Sequence, residues 1–211
     1  MISLLLSSPL AFITLALALV ISITLHEFAH AWMADRLGDP TPRLQDRVTL
    51  NPLAHLDPVG TLALLFFGFG WGKPVVFDPY NLDNHRRDTL LIAGAGPLSN
   101  ILLATLLALI APLLPIPLAL IQVIISVNIM LAIFNLVPIH PLDGGKILSG
   151  LLPRELAREY DAALEQYGIW VLLLLVFPVA GGTSAVSYLI GPVIGLVEGI
   201  LFFLMRVNPL L

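Results

Sequence analysis

Apolar runs alternate with short polar segments along the whole chain, and the length of each run predicts its role. The first reads as one helix. Ser8 is placed to cap it and Pro9 to open it, and it continues through His30 to about Leu37, where Gly38 marks a stop. Residues 39–57 are polar and broken by Pro40, Pro42 and Pro52. Val59 to Trp71 is apolar again, but about 13 residues are too few to cross a hydrocarbon layer about 30 Å thick, so this run predicts a re-entrant segment. Lys73-Pro74-Val75-Val76-Phe77-Asp78 then has the residue types of a short strand whose proline puts it at an edge. A second long helix is predicted from about Asp88 to Ala111 and a third from Pro117 to Asn135. Glu155 to Glu165 reads as a charged, solvated helix, and apolar segments at about 168–180 and 188–205 close the chain. The pattern predicts an all-α polytopic membrane protein with about five transmembrane helices, a re-entrant segment and a short β element near the cytoplasmic face. It assigns residues 1–211 to one membrane-embedded domain, with a core at about 8–147 and C-terminal helices at about 168–205.

Composition agrees. The 211 residues are 58% hydrophobic and 11% charged, which excludes a soluble domain. The net charge of -4 gives no case for nucleic acid. There is no cysteine, so any metal must be held by His, Asp or Glu. The apolar start lacks a basic n-region, which argues for a retained helix over a cleaved signal. If Val59–Trp71 is re-entrant, all ten Lys and Arg fall on one face: Arg36, Arg43, Arg47, Lys73, Arg86, Arg87, Lys146, Arg154, Arg158 and Arg206. The positive-inside rule then puts the N-terminus outside and the end of the first helix at the cytoplasmic side of what is expected to be a prokaryotic cytoplasmic membrane.

That helix end carries the chemistry. His26-Glu27-Phe28-Ala29-His30 puts two imidazoles one turn apart on one helical face, a spacing that suits one zinc ion, and Glu27 beside them can serve as general base. A Glu in an apolar segment costs roughly 2.5–3.5 kcal/mol even on a lenient insertion scale, which marks it as functional. His26 lies roughly 26 Å along from Pro9 and Asn135 roughly 27 Å along from Pro117, so the two stand level. After Asn135 comes Leu136-Val137-Pro138-Ile139-His140-Pro141-Leu142-Asp143-Gly144-Gly145. The prolines and glycines let the chain turn back at that depth, so Asp143 can be a third ligand. A second crossing by Val59–Trp71 would leave Asp143 on the opposite face, so ligand depth and charge bias agree. Asn100, inside the second long helix, needs either an interhelical hydrogen bond or a role at the site. Glu198, inside the last apolar segment, lines a cavity or bonds a neighbour.

The His26-Glu27-Phe28-Ala29-His30 motif, with Asn135-x-x-Pro138-x-x-Pro141-Leu142-Asp143-Gly144 later, resembles the site-2 protease family of intramembrane zinc metalloproteases. Gly96-Pro97-Leu98-Ser99-Asn100, Asn51-Pro52-Leu53 and Asp57-Pro58 with Gly60 look like further family elements, and the resemblance covers about residues 20–147. It implies that His26, His30 and Asp143 bind one zinc ion, that Glu27 is the catalytic base, and that Asn135 helps position substrate. It also implies a minimal, single-domain member without PDZ or CBS domains. His140 can compete as ligand or assist catalysis, and the oxyanion partner is left among zinc, Asn135 and His140. The expected activity is peptide-bond hydrolysis within or near transmembrane segments of other proteins in the lipid bilayer. Val75 and Val76 on the edge segment, together with Asn100, complete the candidates for substrate contact. The rival readings are a zinc transporter or channel, which would string ionisable groups across the membrane, and a catalytically silent scaffold.

Overall fold

The computed structural model describes residues 1–67, 70–180 and 183–207. Helix α1 (Ile2–Ser7) leads through an extended Ser8 into α2 (Pro9–Arg36), which Pro9 opens; the Ser8 side chain makes no capping bond. α2 stops as its sequence predicts. Gly38 takes φ +107, and the Asp39 N–H returns to the Ala34 carbonyl at 3.0 Å. The polar connector holds the short α3 (Thr41–Leu44) and is gathered on Asp39, which is fully buried. Asp39 accepts bonds from the Thr41 N–H and hydroxyl, the Asp78 N–H and the Asn81 amide. Burial alone would raise its pKa; those bonds outweigh burial and hold the carboxyl below its ordinary value.

α4 (Pro58–Phe67) is an isolated excursion. Its ten residues span only about 15 Å. The segments before and after it meet: Gly72 bridges Leu56, and the Lys73 N–H donates to the His55 carbonyl at 2.8 Å. Gly68 and Phe69, which the re-entrant reading includes, lie outside the described residues. Pairing ends at Gly72, and residues 73–78 pair with no strand among the described residues. The two-stranded ribbon that does form joins β1 (Pro178–Ala180) to β2 (Thr183–Ser184) elsewhere in the chain.

α5 (His85–Ile110) starts three residues before the expected Asp88, because the Asn84 side chain caps it by accepting the Arg87 N–H at 3.1 Å. α6 (Leu118–Asn135), α7 (Asp143–Leu151), α8 (Arg154–Val176) and α9 (Ala185–Val207) follow. α2, α5 and α6 pack closely, with Ala18, Ala31, Ala34, Ala104 and Ala108 fully buried between helices. Outward, Leu10, Ile13, Leu17 and Ile21 on α2 and Leu98, Leu102, Leu106 and Leu109 on α5 are exposed at helical spacing, the stripe a lipid-facing surface requires.

Four helices among the described residues are long and apolar enough to cross a membrane, α2, α5 with its extension to Leu113, α6 and α9, where the sequence pattern led us to expect five. The difference lies in α8. It fuses the charged Glu155–Glu165 stretch to the apolar one, and its apolar end from Gly168 extends only about 13 Å. One face of that end packs: Leu172 lies in a buried cluster with Val137, Leu142, Val186 and Ile190, while Ile169, Trp170, Val171 and Leu174 stay exposed. The same cluster fixes the direction of α9. Its first turns pack where α6 ends, while Leu201 and Met205 pack with Ala111 and Ile121, where α6 begins. Arg206 therefore lies at the end of the bundle opposite the other nine Lys and Arg, a correction to the expectation that all ten share one face. Hydropathy records that a segment is apolar, not whether lipid or protein covers it.

The chain has no cysteine, so single cysteines can report sides without background. Cysteines replacing Asp46, Asp83 and Glu159 are expected to react with an impermeant thiol reagent from one side of sealed vesicles, and cysteines replacing Pro115 and Arg206 from the other. Position 206 reacting together with position 46 would restore a fifth crossing.

Candidate metal centre

α2 presents His26 and His30 one turn apart, both buried, with their rings edge to face at 4.6 Å. Each ring is fixed through Nδ1. His30 Nδ1 lies 2.7 Å from the Ile92 carbonyl, which can only accept, so this nitrogen carries the proton. His26 Nδ1 lies 2.7 Å from Asn100 Oδ1. The Asn100 amide donates to the Ser22 carbonyl at 3.0 Å and to Asn128 Oδ1 at 2.7 Å, so its oxygen faces His26 as acceptor. Asn128 in turn donates to the Ile124 carbonyl at 2.8 Å. Both imidazoles therefore donate at Nδ1 and present a bare lone pair at Nε2.

Those lone pairs converge with a carboxylate. Asp143 Oδ2 stands 3.1 Å from His26 Nε2 and 3.2 Å from His30 Nε2, and the two Nε2 atoms are 3.1 Å apart. Three acceptors face one another with no proton to share while both rings are neutral. A cation resolves that arrangement. Ligands of a tetrahedral zinc at about 2.0–2.1 Å stand about 3.3–3.4 Å from each other, so the triangle needs only a few tenths of an ångström to fit. Two imidazoles and one carboxylate also leave a fourth position open, as catalytic zinc sites do.

Two glycines make this approach possible. α7 begins at Asp143 because the chain folds back after α6, and a Cβ at Gly144 would lie 2.3 Å from the Leu136 carbonyl oxygen. On the other side α5 presses against the imidazoles: a Cβ at Gly96 would lie 2.3 Å from His30 Nε2 and 2.7 Å from His26 Cε1.

Glu27 meets a different set of groups. Its Oε2 accepts the Val75 N–H at 3.1 Å and stands 3.9 Å from Arg47 Nη2. Arg47 is buried and donates to the Pro74 carbonyl at 2.9 Å and to the Lys73 carbonyl. His55, fully buried, lies 3.4 Å through Nδ1 from Arg47 and 2.7 Å through Nε2 from the Thr49 carbonyl. Burial first, and Arg47 beside it, hold the His55 pKa below the ordinary imidazole value.

The remaining candidates are spread more widely. Asn100 is fully buried and bonded to His26. Asn135 is half-buried at the end of α6 and donates to the Leu131 carbonyl at 2.9 Å. His140 is exposed, lies against Gly168 and lines a cavity of about 510 Å³ with Arg86, Lys146 and Glu165. It is not part of the donor cluster, which among the described residues consists of His26, His30 and Asp143. Val76 is exposed, and Glu198 is half-buried in α9 outside that cluster. Sequence reasoning passed over the contacts of Asn128, Arg47 and His55. An Asn inside an apolar span was the available signal for Asn128; Arg47 is one of several basic residues in a polar connector and carried none.

Residues 115–177, which include Asn135 and Asp143, match peptidase family M50. The chain is 36% identical over 192 residues to YwhC of Bacillus subtilis, provisionally named a zinc metalloprotease, covering 85% of each protein. It is 30% identical over 174 residues to Rip2 of Mycobacterium tuberculosis, named in the same provisional way, covering 77% of this chain and 66% of that protein. No solved structure matches it. With the donor triad, the apolar helices and these relatives taken together, the chain belongs to peptidase family M50, the site-2 protease family of intramembrane zinc metalloproteases.

Proposed function

We propose that this protein is a zinc metalloendopeptidase of the site-2 type that cuts transmembrane segments of other membrane proteins. The observation that carries the reading is the triangle of His26 Nε2, His30 Nε2 and Asp143 Oδ2 at the end of an apolar helix, with Glu27 next in sequence. Zinc held there would polarise the scissile carbonyl and lower the pKa of water toward about 7. Glu27 takes the proton of the attacking water and delivers it to the leaving amine. Asn100 and the Ile92 carbonyl keep both imidazoles in the tautomer that leaves Nε2 bare.

Nine of the ten basic residues lie at the metal end, which favours a cytoplasmic active site with the N-terminus outside. The α4 excursion dips into the bilayer from that side and returns, which the contact between Leu56 and Gly72 supports. Its neighbour, residues 73–78, receives substrate. A transmembrane helix hides its carbonyls in its own hydrogen bonds, so cleavage requires unwinding, and unwound backbone at membrane depth needs another backbone to satisfy it. Val76 is exposed, and its N–H has no partner among the described residues. The unwound substrate pairs with this edge as an added strand, with Asn135 assisting.

Purified protein is expected to hold about one zinc per chain, as a three-ligand catalytic site requires. His26→Ala, His30→Ala and Asp143→Ala each lose most of it. Asn100→Ala weakens affinity by about 10–100-fold, the usual cost of removing a group that orients a ligand. Gly96→Ala loses zinc by driving a methyl into both rings. Glu27→Gln keeps the metal and loses cleavage of reconstituted membrane substrates; a fully active Glu27→Gln protein removes the base. For substrate handling, Val76→Pro deletes one N–H of the edge and sharply reduces cleavage with normal zinc content.

A further inference from the structure

Arg47 combines deep burial with bonds directed at a single short segment, residues 73–74. It is 3% exposed, it comes from the polar connector rather than from a crossing helix, and its Nε has no partner among the described residues. A guanidinium is costly to bury unless its bonds are well satisfied. Its fork is spent on the backbone of the edge segment, at the Pro74 and Lys73 carbonyls.

The Pro74 carbonyl and the Val75 N–H are the two ends of one peptide unit. Arg47 holds the first at 2.9 Å, and Glu27 holds the second at 3.1 Å. Further along, the Asp78 N–H is held by Asp39 at 2.7 Å. The segment is therefore pinned at both ends, and Val76 and Phe77 are left between the pins. In extended chain, successive peptide units point to opposite sides. With the Val75 N–H committed to Glu27, the next N–H along the chain, that of Val76, is turned away from Glu27.

We propose that Arg47 is a positioning residue that sets the register of cleavage: by clamping Lys73 and Pro74 against Glu27, it fixes which substrate bond lies over the metal. The inference rests on the strand-addition reading above and deepens it. A substrate strand takes its register from the edge it pairs with, and a slip of two residues keeps the same side chains facing the same way. An edge free to move along its own axis presents neighbouring bonds in turn. A lysine at position 47 cannot supply the fork that holds two carbonyls, because its ammonium is a single point donor.

The test uses the full-length protein in reconstituted vesicles with a single-span substrate already cut by wild type at one bond. Zinc content and the masses of the products are measured for wild type, Arg47→Lys, Arg47→Met and Val76→Pro. Both Arg47 variants are expected to retain zinc, to lose about tenfold or more in kcat/KM, and to spread the cut to bonds two residues away on either side. Val76→Pro is expected to cut poorly at every bond. A single unchanged cut in the zinc-loaded Arg47 variants, at any rate, overturns the register role while a defective Val76→Pro leaves strand addition standing. Loss of zinc from both Arg47 variants makes the residue a support of the fold and also overturns the proposal. Wild-type cleavage by Val76→Pro removes strand addition, and the register role falls with it.

Discussion

Three acceptor atoms forced together in a buried place organise this molecule. Two imidazole nitrogens and a carboxylate oxygen stand within 3.2 Å of one another, and while both rings are neutral the bonds on the far side of each ring leave no proton for any of them to share. Three lone pairs so placed repel one another unless a cation, a metal ion or a proton, lies between them. Each crossing element near it can be understood by what it adds. α2 supplies both rings, α5 supplies the orienting groups and the gap at Gly96, and α6 supplies Asn128 behind Asn100. The turn that ends α6 then delivers Asp143 back to the same depth.

The other face of α2 carries a second arrangement, in which Glu27 and Arg47 hold opposite ends of the Pro74–Val75 peptide. Glu27 and the segment 73–78 are thus joined through one peptide unit. In our reading, a substrate strand docked on that edge is docked relative to the base, so binding and chemistry share a single reference point. The loop around α4 closes on itself at Leu56 and Gly72, which brings the edge segment back to α2 within a few residues.

Much of this was legible from residue types and spacing. Three long helices and the donor set follow from runs, breakers and the pairing of His26 and His30 with an Asp behind two prolines. What sequence could not give depended on packing. The apolar half of α8 reads as a crossing segment, and only the fold shows that one face of it, through Leu172, packs on the cluster of Val137 and Leu142. The direction of α9 depends on Ile190 and Leu201 finding opposite ends of α6, which no local pattern encodes. Asn100 was recognisable as a polar residue in need of a partner, yet only the fold identifies that partner as His26. Arg47 was one basic residue among ten; its distinction is burial, which its neighbours in sequence do not announce.

His26, His30 and Asp143 are expected to bind zinc directly. X-ray absorption at the zinc edge of the purified, membrane-extracted protein tests this most directly. Two imidazole ligands and oxygen neighbours at about 2.0–2.2 Å in a four-coordinate shell are the predicted result. A zinc shell without imidazole scattering, or a six-oxygen shell, would contradict it.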